Sequence, residues 1–255
     1  MRLTVIGCAS GTPSVSRAHS CYLIHEGDRG YMLDCGDGAA SALVRCGIDT
    51  SQIGDVFISH THPDHVIGLP MLIQMEHLKK RSEPLRIHVP TEFEQAFSDM
   101  LQGLYLFPEK MCFEISVLTI DDDFVFDDGR VRIEVYPNPH LAGNAEFANS
   151  VGARNLMQCY SFALTAGGRK FAYSADITGI SDLDEIAENA DLLLTEGMHV
   201  DLADLPGLLA EKGVKRCILT HLPDDFDRES TLQFLEKSGY DSLGFAQEGL
   251  TVSIR

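Results

Sequence analysis

The sequence predicts a mixed α/β fold in which two layers of strands are enclosed by layers of helices. Three observations point to it. The chain contains short apolar runs of strand length, hairpin turns of sequence Asp127-Asp128-Gly129 and Gly167-Gly168 between such runs, and other runs that are followed by helical patterns. This order occurs twice along the chain. We therefore expect a sandwich of class α/β (α+β) rather than a doubly wound parallel sheet.

The individual elements follow from apolar periodicity and turn chemistry. Strands are predicted at residues 3–6, 21–25, 31–33, 56–59, 85–89, 113–118, 131–136, 160–165, 170–174, 192–195, 217–220 and 250–254. Helices are predicted at residues 39–46, 69–80, 93–104 and 183–188, followed by one that ends at Gly213 and one that ends near Gly239. No linker rich in Pro, Gly and Ser interrupts the chain, so we expect one domain over residues 1–255.

The charge balance restricts the classes of partner. Asp and Glu total 38 against 20 for Lys and Arg, which gives a formal charge of −18 and disfavours a surface that binds nucleic acid non-specifically. The apolar run at residues 3–6 is too short for a signal peptide, and no stretch reaches membrane-spanning length. We therefore expect a cytoplasmic protein without a membrane partner. The seven scattered cysteines form no Cys-x-x-Cys pair and are typical of reduced thiols.

The most informative segment is residues 60–65, where a predicted strand runs directly into His-Thr-His-Pro-Asp-His. Imidazole and carboxylate groups are the ligands that zinc and similar divalent ions prefer. Four such groups on one strand-to-helix loop can converge from a single turn of backbone, which Pro63 stiffens. We interpret this loop as one part of a metal site.

One loop cannot surround an ion, so further ligands must come from elsewhere in the chain. Three candidates, His140, Asp176 and His221, each follow a predicted strand. Their shared position would gather the three side chains at one edge of the sheets. A carboxylate such as that of Asp176 can bridge two ions about 3.5–4 Å apart, as two-metal hydrolases require.

These ordered ligands resemble the metal motifs of the metallo-β-lactamase superfamily. Within that superfamily the chain resembles the ribonuclease Z-like branch through three further segments, residues 7–14 (GCASGTPS), 33–38 (LDCGDG) and 68–70 (GLP). The resemblance covers nearly the whole chain. It implies a four-layer αββα sandwich, a hydrolase activity and a site for two divalent ions, with zinc expected and manganese or iron as alternatives.

The resemblance also implies a role for each residue of the site. The expected ligands are His60, His62 and His140 for the first ion, Asp64, His65 and His221 for the second, and Asp176 as the bridge between them. Asp34 would accept hydrogen bonds that orient a ligand histidine or the loop itself. A homodimer is a further expectation from the superfamily.

Hydrolysis at such a site requires a proton acceptor and a proton donor. Two ions lower the pKa of a bound water towards about 7, and Asp64 can accept the proton that this water releases. Ribonuclease Z-type proteins are understood to use a Glu and His pair as the proton donor. Glu196 and His199 match that pair, although they lie only three residues apart, and Glu196 would orient His199.

The sequence departs from ribonuclease Z in the segment that would grip transfer RNA. Only 36 residues separate His140 from Asp176, too few for the long Gly/Pro-rich arm of the bacterial enzymes, and residues 141–158 are predicted to form an ordinary loop. With the acidic charge, this favours a small anionic substrate, a small or short phosphodiester such as a cyclic nucleotide, over nucleic acid. Three alternatives stay open: a ribonuclease Z-type transfer-RNA 3′ endonuclease, a lactone, ester or thioester hydrolase, and a metal-binding protein without turnover.

Overall fold

The computed structural model describes residues 1–237 and 242–255. Within those ranges, strands β1 to β14 form two seven-stranded sheets. The strands are β1 (Arg2–Gly7), β2 (Cys21–Glu26), β3 (Arg29–Leu33), β4 (Ile53–Phe57), β5 (Leu85–Pro90), β6 (Ile115–Ile120), β7 (Val125–Asp127), β8 (Arg132–Pro137), β9 (Tyr160–Ala166), β10 (Arg169–Tyr173), β11 (Leu192–Glu196), β12 (Cys217–Thr220), β13 (Leu243–Phe245) and β14 (Thr251–Ser253).

The two sheets have matching topologies. The first has the order β14-β1-β2-β3-β4-β5-β6 and the second the order β13-β12-β11-β10-β9-β8-β7. In each sheet, the strands on one side pair in antiparallel fashion, whereas β3 to β6 and β10 to β13 are parallel. The carboxyl ends of parallel strands lie at one edge of a sheet, so the loops that follow β4, β10 and β12 can meet.

Helices cover the outer faces of both sheets. They are α1 (Ala39–Arg45), α2 (Pro63–Val66), α3 (Leu69–Leu78), α4 (Glu94–Gly103), α5 (Ala145–Ser150), α6 (Leu205–Glu211) and α7 (Arg228–Lys237). Apolar residues of α1, α3 and α4 pack on the first sheet, and those of α6 pack on the second. A third core, which includes Tyr22, Phe162 and Phe171, lies between the sheets. The predicted four-layer sandwich is therefore confirmed.

Most predicted elements occur within a few residues of their expected bounds. Gly47 and Gly213 have φ values of 65° and end α1 and α6, because glycine adopts this left-handed conformation without strain. The helix predicted at 183–188 is wrong, since only a 3₁₀ turn, Ile180–Leu183, forms there. The Asp182 carboxylate accepts hydrogen bonds from the backbone and hydroxyl of Thr178, which favours a turn.

The remaining expectations concern the last helix, the number of domains, membrane-spanning helices and the loop at residues 141–158. The helix end expected near Gly239 lies outside the described residues, and the single-domain organisation stays a prediction. None of the helices in the described ranges combines the length and the apolar character that crossing a membrane requires. The predicted ordinary loop at residues 141–158 instead contains a 3₁₀ turn, Ala142–Asn144, followed by α5.

Candidate metal centre

The loop after β4 presents its side chains from the middle of the first sheet. β4 pairs with β3 on one side and β5 on the other, so its carboxyl end is fixed. His62 is extended, with φ −60° and ψ 143°, as expected for a residue before proline. Pro63 then starts α2, whose single turn brings Asp64 and His65 back towards the strand end.

The first group of potential ligands comprises His60, His62, His140 and Asp176, whose nearest ligand atoms all lie within 4.8 Å of one another. His62 Nδ1 is 3.1 Å from His60 Nε2 and 3.3 Å from His140 Nε2. Asp176 Oδ2 is 3.7 Å from His140 Nε2. Three imidazoles and one carboxylate thus face a common point.

The second group comprises Asp64, His65, Asp176 and His221, again within 4.8 Å. His65 Nε2 lies 3.5 Å from Asp64 Oδ2 and 3.3 Å from Asp176 Oδ1. His221 Nε2 lies 3.7 Å from Asp64 Oδ2 and 3.3 Å from Asp176 Oδ2. Asp176 belongs to both groups and directs one oxygen to each of two histidines, so its carboxylate lies between them.

The second sheet supplies its three residues from the loops that follow β8, β10 and β12. The Asn138 side chain accepts a hydrogen bond from the backbone N–H of His140 at 3.1 Å and donates one to Ser161 at 3.2 Å, which fixes the first of these loops. Ala175 and His221 have φ values of 51° and 57°. Left-handed backbone at non-glycine residues costs free energy and concentrates at functional sites.

The donor set fits divalent cations. His65 Nε2 and Asp176 Oδ1 are buried and have no hydrogen-bond partner among the described residues, although they face each other. Buried polar atoms of this kind are rare unless an ion or water satisfies them. Imidazole nitrogen and carboxylate oxygen together suit zinc, manganese or iron. The two groups can therefore hold two ions, with Asp176 in common.

The charged groups of this centre perturb one another. Burial alone would raise the pKa of the Asp176 carboxyl, but the adjacent His65 and His221 more than offset it and hold that pKa well below its usual range. Burial, together with the neighbouring His65, depresses the pKa of His60. Burial likewise lowers the pKa of His221 to about 4. His60 and His221 are therefore neutral near pH 7, which is the form that binds a metal.

Asp34 lies directly behind the centre and is fully buried. Its Oδ2 lies 2.7 Å from His65 Nδ1 and accepts hydrogen bonds from the Tyr173 hydroxyl at 2.7 Å and from Ser59 Oγ at 2.9 Å. Its Oδ1 accepts a hydrogen bond from the backbone N–H of Ser59 at 2.8 Å. A carboxylate can only accept here, so His65 Nδ1 carries a proton and Nε2 is the ring atom that faces a cation. Asp34 thus contacts both a candidate ligand, His65, and the backbone of the loop.

Two glycines allow the Asp34 segment to approach the histidine loop. A Cβ on Gly36 would lie 2.0 Å from the carbonyl oxygen of Asp64, and one on Gly68 would lie 2.2 Å from the carbonyl oxygen of Gly36. Backbone hydrogen bonds from Cys35 to His65, and from Gly68 back to Cys35, both 2.8 Å, join the segments. This contact explains the LDCGDG and GLP sequences at residues 33–38 and 68–70.

Glu196 and His199 lie beside the first group. Glu196 ends β11, is fully buried, and accepts hydrogen bonds from His199 Nδ1 at 2.9 Å and from the backbone N–H of His199 at 3.1 Å. Burial raises the pKa of the Glu196 carboxyl. The His199 ring is 46% exposed and its centroid lies 5.6 Å from that of His140. A separation of three residues in sequence therefore still allows the expected pairing.

Several polar residues of the site were not predicted from the sequence. Ser59 and Tyr173 bind Asp34, and Ser20 Oγ lies 3.3 Å from His221 Nδ1. Tyr173 is 139 residues from Asp34, so no local pattern could connect them. Of these residues, Ser59 is adjacent to a candidate ligand in sequence, since it immediately precedes His60.

Comparison with known proteins assigns the chain to a family. A protein-family model described as "Anti-Pycsar protein Apyc1" matches residues 1–249. The chain belongs to this family. The match includes every residue of the two ligand groups as well as Asp34, Glu196 and His199.

Other proteins are similar to the chain over its whole length. Ribonuclease Z of Methanothermobacter thermautotrophicus is 23% identical, over 100% of this chain and 97% of that protein. Human tRNase Z, short form, is similar with a TM-score of 0.75 at 20% identity over 100% of both chains. The metallo-β-lactamase fold protein YhfI from Bacillus subtilis has a TM-score of 0.74 at 23% identity over 98% of both.

These similarities extend from end to end, so they concern the whole fold and not one motif. They confirm the predicted resemblance to the ribonuclease Z-like branch of the metallo-β-lactamase superfamily. Together with the two His and Asp groups, they support a metal-dependent hydrolase of that fold for this member of the Apyc1 family.

Proposed function

We propose that this protein is a phosphodiesterase that cleaves a small or short phosphodiester, such as a cyclic nucleotide, at a centre of two divalent ions. The observation that carries the proposal is the position of His199 beside His140 of the first ligand group, with its Nδ1 held by the buried Glu196. A phosphodiester has a poor leaving group that needs a proton, whereas a thioester or lactone does not depend on one to the same degree.

The seven residues proposed to hold the ions are His60, His62, Asp64, His65, His140, Asp176 and His221. Divalent ions bound there supply Lewis acidity and make water a strong nucleophile near neutral pH. When water attacks phosphorus, the carboxylate of Asp64 accepts the proton that the water releases. The P–O ester bond then breaks.

His199 completes the reaction by giving a proton to the departing oxygen. Because Nδ1 donates to Glu196, Nε2 is the ring atom free to transfer the proton. The Glu196 carboxylate accepts from Nδ1 and from the backbone N–H of His199, which fixes the orientation of the ring and the position of the residue. Glu196 acts through His199 and has a positioning role.

The charge of the chain favours a small substrate. A polyanion would be repelled by a surface with a formal charge of −18, and the effect grows with the number of phosphates. The segment between β8 and β9, where a transfer-RNA-binding arm would extend, contains a 3₁₀ turn, α5 and short loops. Residues 141–158 include one basic residue, Arg154, and one acidic residue, Glu146, so this segment offers no basic track.

A second candidate function is cleavage of RNA, because curated relatives are named ribonuclease Z. The two functions differ in what the isolated protein binds. Precursor transfer RNA would be cleaved at low salt, with loss of cleavage in Asp64→Ala, if RNA is the substrate. If the protein neither binds nor cleaves the precursor but turns over cyclic nucleotides, the result supports the phosphodiesterase that acts on small substrates.

The deciding experiment compares substrates and one variant. Metal-loaded protein is incubated with cyclic nucleotides, bis-p-nitrophenyl phosphate, a lactone and a thioester. We expect phosphodiester turnover, and a decrease of at least about 100-fold in His199→Ala with unchanged metal content. Rapid lactone or thioester hydrolysis without phosphodiester turnover would contradict the proposal, and absence of all turnover by metal-loaded protein would favour a binding role.

We also propose a homodimer. The outer helices α1 and α3 share an apolar face. Its side chains, Val44, Met71 and Leu78, are each more than half exposed. Sedimentation velocity is expected to show a dimer that Met71→Glu dissociates. A wild-type monomer at micromolar concentration would contradict this part of the proposal.

A further inference from the structure

A cavity of about 410 Å³ adjoins the candidate metal centre on the side of His62. Thr61 and His62 line it from the histidine loop, and Asn144, Phe147, Val151 and Asn155 line it from α5 and its flanking loops. Its volume is within the range of small-molecule sites. Because His62 belongs to both places, a phosphodiester at the metal centre can extend its organic part into this cavity.

The lining of the cavity suits an uncharged planar group. The side chains of Phe147 and Val151 are 72% and 61% exposed, so both offer apolar surface where they line the cavity. Asn144 and Asn155 add amide groups that both donate and accept hydrogen bonds. Among the described residues that line the cavity there is no Lys or Arg, whereas Glu92 is present. The cavity therefore disfavours a phosphate.

Part of the cavity wall is held firmly by hydrogen bonds to Glu92, which lies just after β5. Its carboxylate accepts from the backbone N–H groups of Leu156 and, at 3.1 Å, of Gln158. The Gln158 side chain returns the contact by accepting from the backbone of Glu92 at 2.9 Å. A wall fixed before binding reduces the entropy lost when a ligand is ordered.

We propose that this cavity is the subsite for the heterocyclic base of the substrate, with Phe147 as the face on which the base stacks and Asn144 and Asn155 as groups that contact its edge. The inference rests on the proposed function, since it names the part of a cyclic nucleotide that the enzyme selects. A base has a planar apolar face and hydrogen-bonding edges, and the cavity offers a partner for each.

The test compares two substrates that differ only in the base: a nucleoside 3′,5′-cyclic phosphate and the same cyclic ribose phosphate without a base. For metal-loaded Phe147→Ala we expect KM for the nucleotide to rise about 5- to 150-fold, the range for loss of one stacking contact, with kcat nearly unchanged. Turnover of the baseless substrate stays at the wild-type value. Phe147→Tyr, which keeps a planar ring, restores the nucleotide KM.

A matched control separates the cavity from exposed aromatic residues in general. Tyr105 is 83% exposed and does not line the cavity, so Tyr105→Ala is expected to leave both substrates unaffected. Equal effects of Phe147→Ala on both substrates, or no effect on either, would overturn the subsite while the phosphodiesterase proposal stands.

Failure of the proposed function gives a different result. If wild-type protein cleaves neither these two substrates nor bis-p-nitrophenyl phosphate, the phosphodiesterase proposal is wrong. The subsite is then judged by calorimetric binding of the uncharged nucleoside. Binding that Phe147→Ala abolishes and Phe147→Tyr retains supports the subsite. Absence of binding to wild-type protein refutes it.

Discussion

Replacing Asp34 by Asn tests whether this buried carboxylate fixes the tautomer of His65. In the structure, Asp34 Oδ2 meets three groups, His65 Nδ1, Tyr173 OH and Ser59 Oγ, and Oδ1 meets Ser59 N. An amide keeps one acceptor oxygen and presents N–H groups at the other position. If the oxygen stays on Ser59 N, His65 Nδ1–H loses its acceptor, and the proton moves to Nε2, the atom that faces the candidate ligands.

The magnitude follows from the hydrogen bonds that the amide cannot accept. The serine and tyrosine hydroxyls can rotate to accept from the amide, which leaves one buried donor without its acceptor. Such a donor costs about 1–3 kcal/mol, and we expect a net destabilisation of that size. Loss of a carboxylate that orients a metal-binding histidine reduces affinity about 10- to 100-fold. Zinc affinity from chelator competition and the free energy of unfolding of the metal-free protein measure the two effects separately.

Asp55→Asn provides the matched control. Asp55 is equally buried and contacts Arg29, Arg86 and His88, but it belongs to neither ligand group. Both variants should be destabilised, whereas only Asp34→Asn should lose zinc affinity. An Asp34→Asn protein that binds zinc as tightly as the wild type would refute the role assigned to Asp34.

Three further outcomes are expected. Gly36→Ala should lower the free energy of unfolding by more than about 3 kcal/mol and weaken zinc binding, because its Cβ would lie 2.0 Å from the carbonyl oxygen of Asp64. Gly143→Ala is the control, since the space around its Cβ is open. Calorimetry should show an unchanged Tm for this control. Burial would raise the pKa of Asp55, but hydrogen bonds from its imidazole and guanidinium partners hold that pKa well below its usual range. The stability that this ionised group contributes is complete above about pH 4 and is lost as pH falls further. Asp55→Asn should therefore make the free energy of unfolding depend less on pH in the acid range. Removal of metal by a chelator should lower Tm, since an ion present at 100 times its Kd stabilises the folded state by about 2.7 kcal/mol, and an unchanged Tm would argue against the centre.

Local sequence determined the parts of this protein that depend on neighbouring residues. The alternation of apolar runs and turns predicted most strands within a few residues, and Gly47 and Gly213 marked the ends of α1 and α6. The histidine loop was visible because four potential ligands follow a single strand. At residues 183–188 the apolar pattern predicted a helix, but only a 3₁₀ turn, Ile180–Leu183, forms there. The preceding Asp182 accepts hydrogen bonds from Thr178, and this local contact competes with helix formation.

Tertiary structure alone decided which distant groups meet. Tyr173 reaches Asp34 across the two sheets, His199 packs beside His140, and the cavity at His62 is closed by a segment that contains Phe147. These contacts depend on strand order and on the packing of one sheet against the other, which are set by burial of the whole core. The sequence therefore predicted the fold and the candidate ligand residues, whereas packing decided which of their atoms face one another and what shape the adjoining cavity has.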